Sequence, residues 1–270
     1  MRSHALDETV ARVAPARVRE LLVLWQHPED RRILPVGRLV YDGVTYFFDY
    51  TVTAGTIEGF RELPGLGRLG MHFESNVLPT VLRQRVMDAE RPDFARYVAE
   101  LGLNPSTATP WEQIVESGGD RAGDTLQFME LPRVVNGIAR ARFLANGIRY
   151  IAGPQRSIGG RPVRVNDHEV EAAFAALRVG DEVEILPEEG NRVDENATLV
   201  TRSGVPLGWV PRFLAPGVRR LLVGGRVFAH VVRVNGPGAP THLRLVLELE
   251  TPVPEGFSFD PDGLWEVLSR

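Results

Sequence analysis

The sequence contains neither cysteine nor lysine. The absence of cysteine excludes disulfides, zinc sites built from thiolates and cysteine nucleophiles. Because lysine is absent, all 31 basic side chains are arginines, whose planar guanidinium suits bidentate contact with phosphate. The formal net charge of −4 argues against a protein that coats nucleic acid over its whole surface, so any such contact must be a local patch.

Long apolar segments are absent as well. The strongest candidate, residues 21–25, is far shorter than the roughly 18 residues that a helix needs to span a bilayer. The N-terminus carries Asp7 and Glu8, and it lacks the basic start and apolar core of a signal peptide. We therefore expect no membrane partner and a cytoplasmic location.

Sequence signatures of catalysis are also missing. The histidines show no paired spacing of the kind that metal ligands have, and neither a phosphate-binding loop nor a nucleophile elbow is found. The glycine pattern from Gly65 to Gly70 matches a dinucleotide fingerprint, but Pro64 precedes it where a buried strand is required, which favours a loop. The sequence thus predicts a protein that is not an enzyme and uses no metal or cofactor.

Charge divides the chain, whose 270 residues are enough for two ordinary domains. Residues 131–166 include seven arginines and no acidic side chain. This stretch opens at Leu131-Pro132, where we place the domain boundary. The predicted organisation is an N-terminal extension (1–20), a first domain (21–131), a second domain (138–251) and a C-terminal tail (252–270).

The first half is predicted to mix strands with helices. A helix over residues 5–20, broken by Pro15, precedes strands at 21–25, 36–41 and 44–50, and a turn at Asp42-Gly43 joins the last two. Further helices are predicted at 75–87, 93–101 and 111–116.

The second half is predicted to be mainly β-structure. Its strands are expected at 143–152, 182–186, 197–201, 205–210, 227–234 and 243–249, with helices at 169–177 and 212–222. Several short strands with two helices indicate a small closed or partly closed barrel. The predicted fold class is therefore α+β, a mixed N-terminal domain followed by a β-barrel.

Four segments of the second half carry a resemblance to a known family. In order they are Gly147-Ile148-Arg149-Tyr150, Gly180-Asp181-Glu182-Val183, Asn191-Arg192-Val193-Asp194-Glu195-Asn196-Ala197 and Leu207-Gly208-Trp209-Val210-Pro211-Arg212. Their order and intervals resemble the HIRAN domain over residues 138–251. The resemblance implies an OB-like β-barrel that recognises the 3′ end of single-stranded DNA.

The resemblance also implies a set of nucleic-acid-binding residues: Arg149, Tyr150, Asn191, Asp194, Asn196, Trp209 and Arg212. Arg149 and Tyr150 match a pair that holds the DNA backbone and stacks a base, for which an arginine fork and an aromatic ring are suited. Asp194 matches a carboxylate that accepts a hydrogen bond from a free 3′-hydroxyl and would repel a phosphate there. Asn196 is expected to order that loop, and Trp209 either to stack or to pack in the core.

Two positions depart from the family members that bind DNA ends. Val193 stands where those members have an aromatic residue, and Glu195 stands where they have a basic one. Both departures weaken the expectation of tight single-strand binding. The residues alone leave an alternative open, in which Asp194 and Asn196 form an Asx turn between strands.

The first half resembles a second family. Residues 38–50, Leu63-Pro64-Gly65, Arg91-Pro92-Asp93-Phe94 and residues 117–124 look like the small N-terminal subdomain of HipA-type toxin kinases, over residues 20–131. The kinase core does not follow, so this resemblance implies contact with a protein partner and no chemistry of its own.

The function expected from the sequence is binding of single-stranded DNA or 3′ DNA ends, in repair or in defence against foreign DNA. One alternative is a non-catalytic protein-interaction or antitoxin-like regulator related to HipA systems. Another is an accessory subunit of a helicase or nuclease.

Overall fold

The computed structural model describes residues 19–119 and 123–268. The first half contains the strands β1 (Arg19–Gln26), β2 (Ile33–Tyr41), β3 (Tyr46–Tyr50), β4 (Phe73–Ser75) and β5 (Leu126–Glu130), and the helices α1 (Val52–Thr56), α2 (Thr80–Arg83), α3 (Phe94–Glu100) and α4 (Pro110–Ser117). Most of the helix predicted at 5–20 lies outside the described residues, and its last two positions belong to β1. Residues 120–122 of the HipA-like pattern lie outside them too.

The second half contains nine strands and two α-helices within the described residues. The strands are β6 (Arg133–Val135), β7 (Ile138–Leu144), β8 (Arg156–Ile158), β9 (Arg161–Val163), β10 (Glu182–Glu189), β11 (Thr198–Arg202), β12 (Val205–Trp209), β13 (Val227–Val234) and β14 (Leu245–Pro252), and the helices are α5 (Asp167–Ala176) and α6 (Ala215–Val223). A short 3-10 helix covers Ile148–Tyr150. The whole is an α+β fold, as predicted. None of the helices in the described ranges is long and apolar enough to cross a bilayer.

The strands form two antiparallel sheets. In the first sheet the order is β4-β3-β2-β1-β5, and in the second it is β12-β11-β10-β13-β14-β7-β6, with the β8–β9 hairpin attached to β10. The ladders of neither sheet close into a ring. In the second sheet, however, Asn146 beyond the end of β7 exchanges two backbone hydrogen bonds with Trp209 at the end of β12, with N···O distances of 2.8 and 2.9 Å.

Strand β1 is buried on both faces because it lies between two hydrophobic cores. Leu21 and Val23 point into the core of the first half, together with residues of β2 and β3. Their neighbours Leu22 and Leu24 point the other way and join the core of the second half. Side chains alternate across a strand, so a single strand serves both cores. The two halves therefore share buried apolar surface across the Leu131-Pro132 junction.

A buried carboxylate also joins the halves. Glu116 in α4 is 9% exposed and accepts hydrogen bonds from three arginines. Its Oε1 accepts from Arg19 at 2.7 Å, and its Oε2 accepts from Arg142 at 2.6 Å and from Arg233 at 2.9 Å. Arg142 and Arg233 belong to β7 and β13 of the second half, so this cluster fixes α4 against that sheet.

The C-terminal segment, residues 253–268, contacts both halves. Its Leu268 N–H donates to the carbonyl of Tyr50 in β3 over 2.8 Å, and its Glu266 carbonyl accepts from the N–H of Val52 over 2.8 Å. Phe259 is buried in the core of the second half, and Trp265 packs against Phe213 with ring centroids 5.1 Å apart. The segment is thus a structured strap.

Two predicted elements are wrong. Of the helix expected at 75–87 only α2 is present. The Ser75 hydroxyl forms hydrogen bonds with the backbone of Val77, which turns the chain, and Pro79 prevents a helix from continuing through that position. The strand expected at 143–152 ends with β7 at Leu144, since Gly147 takes a left-handed backbone with φ 66° and starts the 3-10 helix. The strands β4, β5, β6, β8 and β9 and the helix α1 were not predicted. The Gly65–Gly70 segment is a loop, as predicted.

Candidate nucleic-acid interface

The centre of the predicted site is a buried carboxylate, Glu188, near the end of β10. Its side chain is 5% exposed and accepts three hydrogen bonds. Oε1 accepts from Arg156 at 2.9 Å, while Oε2 accepts from the amide of Asn191 at 2.6 Å and from the indole N–H of Trp209 at 2.7 Å. A buried carboxylate needs such partners, because an unpaired charge away from water is costly.

These donors also set the charge of Glu188. Burial disfavours the ionised form, but the hydrogen bonds from Trp209, Asn191 and Arg156 outweigh it, so the pKa of Glu188 lies below its ordinary value of 4.5. The carboxylate is therefore ionised at neutral pH and holds its three partners as an anion.

Arg156 connects this centre to the chain around Tyr150. One of its terminal nitrogens bonds Glu188, and the other donates to the backbone carbonyl of Tyr150 at 2.6 Å. Its guanidinium also lies over the ring of Trp209, 4.6 Å from the centroid. Arg156 therefore ties the 3-10 helix to the end of β10.

Trp209 stabilises the site through internal contacts. Its indole N–H is committed to Glu188, and its backbone pairs with Asn146. Gly147 lies so close that a Cβ there would be 2.6 Å from the indole ring, well inside van der Waals contact. The left-handed backbone of Gly147 imposes the same requirement for glycine. These contacts give Trp209 the packing role that the sequence left open beside stacking.

The loop after β10 is shaped by its own side chains. The Asn191 side-chain oxygen accepts from the N–H groups of Val193 and Asp194 at 2.8 and 3.0 Å. One carboxylate oxygen of Asp194 accepts from the N–H of Asn196 at 2.9 Å. Asp194 thus forms the Asx turn considered from the sequence. Its second oxygen has no hydrogen bond among the described residues, and the side chain is half-buried.

Arg149 and Tyr150 are both exposed at the 3-10 helix. The Tyr150 side chain is 58% exposed, a high value for an aromatic residue. The Arg149 guanidinium stacks over its ring, 4.6 Å from the centroid. Arg149 makes no ion pair within the described part of the chain, so its charge is available at the surface.

Six of the seven predicted residues line two neighbouring clefts, and Trp209 lines neither. The cleft that contains Arg149 and Tyr150, here called the Tyr150 cleft, has a volume of about 530 Å³. The cleft that contains residues 191–196 and Arg212, here called the Asp194 cleft, has a volume of about 670 Å³. Pro211 lines the first and Arg212 the second, so the chain just after β12 separates them. A path of hydrogen bonds from the Tyr150 carbonyl through Arg156, Glu188 and Asn191 reaches the backbone of Asp194.

Charges of both signs line the Asp194 cleft: Arg32, Arg192, Arg212, Arg220, Asp194, Glu195, Asp260 and Asp262. Some of them already have partners. Arg220 donates to the carbonyl of Ser258 at 2.9 Å, and Asp260 accepts from the N–H groups of Leu264 and Trp265 at 2.9 and 2.7 Å. Arg192 and Arg212 make no ion pair among the described residues and can hold a sugar–phosphate backbone, while the carboxylates oppose a further phosphate beside them.

The structure divides the predicted residues between two clefts, and the sequence missed the group whose hydrogen bonds connect them. Arg149, Tyr150 and Asp194 present atoms to solvent, whereas Asn191 and Trp209 spend their polar atoms on internal bonds. Asn196 and Arg212 line the Asp194 cleft. Glu188 and Arg156 went unrecognised as a unit because 32 residues separate them in the chain. The one sequence feature that pointed to Glu188 is its position three residues before Asn191, a predicted site residue.

No group of three or more His, Asp or Glu side chains in the described ranges is arranged to hold a metal ion.

Comparison with known proteins adds little to this description. No protein-family model matches the chain, and no curated protein matches it. Among solved structures, the crystal structure of a protein from Lactobacillus plantarum aligns at 24% identity, over 42% of this chain and 96% of that chain, with a TM-score of 0.30. A likeness at that level defines no common fold.

Proposed function

We propose that this protein binds single-stranded DNA at its 3′ end, with the second half acting as a HIRAN-like module. The observation that carries the proposal is the exposed Arg149–Tyr150 pair, joined by hydrogen bonds to the loop that presents Asp194. An exposed aromatic ring beside an unpaired arginine is suited to stacking a base while holding its phosphate. Asp194 keeps one oxygen available for a terminal hydroxyl.

We propose further that the second half forms an OB-like barrel. The hydrogen-bonded pair of Asn146 and Trp209 brings the end of β7 to the end of β12, which supports a nearly closed sheet. The closing pair lies directly beside Gly147 and the 3-10 helix that carries Tyr150. In such a barrel the binding groups would sit where the two ends of the sheet meet. Repair and defence against foreign DNA are settings in which free 3′ ends are exposed.

A binding titration with purified protein tests the proposal. Fluorescence anisotropy would compare a 5′-labelled single strand of about ten nucleotides with a blunt duplex of the same sequence, over a range of salt concentrations. We expect tighter binding to the single strand, because Tyr150 needs an unstacked base. Tyr150→Ala should cost about 1–3 kcal/mol of binding free energy, and Tyr150→Phe should keep most of it because the ring remains.

The arginine is tested in the same assay. Arg149→Ala should weaken binding to all sequences about equally and reduce the slope of log K against log salt by about 0.7, the value for one phosphate contact in a single strand. Arg161→Ala is the matched control, because Arg161 is an exposed arginine of the same half outside both clefts. Equal affinity for duplex and single strand, or an unchanged Tyr150→Ala variant, would contradict the proposal and favour the regulator that contacts a protein partner.

A further inference from the structure

The loop between β1 and β2, residues 27–32, belongs to the first half but reaches the candidate site in the second. Leu24 and Gln26, in β1 just before the loop, line the Tyr150 cleft. Arg32 and Ile33, at the C-terminal end of the loop, line the Asp194 cleft. The loop therefore lies across the segment that separates the two clefts, Pro211-Arg212, here called the ridge. Its contact with that ridge is direct, since the Arg212 guanidinium lies 3.5 Å from the carbonyl oxygen of Arg31.

The loop holds Arg31 in an unusual backbone conformation. The φ angle of Arg31 is 60°, in the left-handed region that non-glycine residues rarely adopt. Backbone hydrogen bonds fix it there: the Arg31 N–H donates to the carbonyl of His27 at 3.1 Å, and the His27 N–H donates to the carbonyl of Arg32 at 2.8 Å. Strained residues of this kind concentrate at functional sites, where the surrounding structure holds them in place.

The two arginines of the loop differ in what they contact. Arg32 is neutralised by Asp30, which accepts from its Nε at 2.6 Å and from its backbone N–H at 3.0 Å. The Arg31 side chain is exposed and makes no ion pair or hydrogen bond among the described residues. With Glu29 and Asp30 included, the loop has no net charge when His27 is neutral, so it offers a single free guanidinium and not a general basic patch.

We propose that this loop is part of the nucleic-acid site, with Arg31 contacting a phosphate of the single strand as it passes from the Tyr150 cleft to the Asp194 cleft. The inference rests on the proposed function and assigns the first half a role in it. The guanidinium is the one free cation of a loop that borders both clefts, and a fork of N–H donors is suited to a phosphate. The first half would thus complete the binding surface.

The test measures single-strand affinity of the full chain against salt for wild type, Arg31→Ala, Arg31→Lys and Arg31→Gly. Arg31→Ala should bind about threefold to tenfold more weakly and lower the salt slope by about 0.7, while Arg31→Lys should keep the slope because the charge remains. Arg31→Gly removes the same side chain but suits the left-handed backbone, so it separates loss of the cation from distortion of the loop. It should lose as much affinity as Arg31→Ala.

Arg68→Ala is the matched control, because Arg68 is an exposed arginine of the first half whose loop, residues 65–70, contributes to neither cleft. If wild type binds, Arg149→Ala weakens binding and both Arg31→Ala and Arg31→Gly leave the salt slope unchanged, the loop inference is wrong and the proposed function stands. Recovery of affinity in Arg31→Gly alone would also overturn it, since the backbone and not the cation would then matter. If wild type binds no single strand, both the proposed function and this inference are wrong.

Discussion

At the scale of single residues, the account depends on Glu188 more than on any residue that faces solvent. One carboxylate fixes the indole of Trp209, the amide of Asn191 and the guanidinium of Arg156. Through them it sets the position of the Tyr150 backbone and of the loop that carries Asp194. Glu188 does not need to touch DNA to matter, because both parts of the proposed site are attached to it.

Replacing Glu188 by Gln should therefore destabilise the fold by about 1–3 kcal/mol, since an amide group would face donors where an oxygen now accepts. Glu189→Gln is the control at the neighbouring position, where the side chain is exposed, and should cost less than about 1 kcal/mol. Denaturant unfolding followed by tryptophan fluorescence measures both. Equal effects of the two substitutions would show that the buried network does not hold the site.

The pH dependence of that difference follows from the lowered pKa of Glu188. A group whose pKa is depressed in the folded state contributes stability above its unfolded pKa, and that contribution is lost as the pH falls through the folded value. The gap in unfolding free energy between wild type and Glu188→Gln should be complete above about pH 4.5 and shrink in more acidic solution. A gap that stays constant would argue against an ionised Glu188.

At the scale of elements, the sequence predicted helices and strands correctly where the hydrophobic period and the residues that begin or end an element agree. The strand at 227–234 coincides with β13, and α4 begins at Pro110 behind a capping box formed by Thr109 and Glu112. Prediction failed where the local signal was mixed. The apolar residues around Ile148 favoured a continuous strand, but Gly147 must contact Trp209, and that tertiary contact turns the chain.

The candidate site shows the same division. Arg149, Tyr150 and Asp194 could be named from the sequence because they belong to short motifs. Their support could not, because Glu188 and Arg156 meet where β10 pairs with β8, and β8 belongs to the short β8–β9 hairpin, which leaves little trace in the sequence. The strap formed by residues 253–268 was expected to be a tail, since few of its residues follow a regular period. The long-range contacts of Phe259 and Trp265 determine its course.

At the scale of the whole molecule, the two halves are joined by apolar contacts and by charge. Leu22 and Leu24 of β1 fill the core of the second half. Glu116 forms ion pairs with arginines from both halves inside the interface. Because the loop proposed to complete the binding site continues from β1, this coupling also fixes that loop relative to Arg212. We therefore expect the chain to unfold as one unit.

Glu116→Ala tests that coupling. Removing one partner from a buried ion cluster leaves uncompensated charge, so the variant should lose about 3–5 kcal/mol of unfolding free energy. Glu250→Ala breaks an exposed pair with Arg140, whose side chains are 45% and 42% exposed, and should cost no more than about 1 kcal/mol. Wild type should show coincident urea transitions by circular dichroism and tryptophan fluorescence. Two separate transitions, with Glu116→Ala no worse than the control, would show that the halves are independent.

The most direct test of the central claim compares two single strands that differ in their 3′ terminus, one ending in a hydroxyl and the other in a phosphate. The account predicts that wild type prefers the hydroxyl end, because the free oxygen of Asp194 accepts its hydrogen bond and repels a phosphate. Asp194→Ala should lose this preference while keeping most of its affinity for the backbone. Because the substitution also removes the hydrogen bond from the Asn196 N–H, thermal melts of the variant, run beside the binding curves, check that the overall fold is retained. Equal binding of both ends by folded wild-type protein would contradict the account.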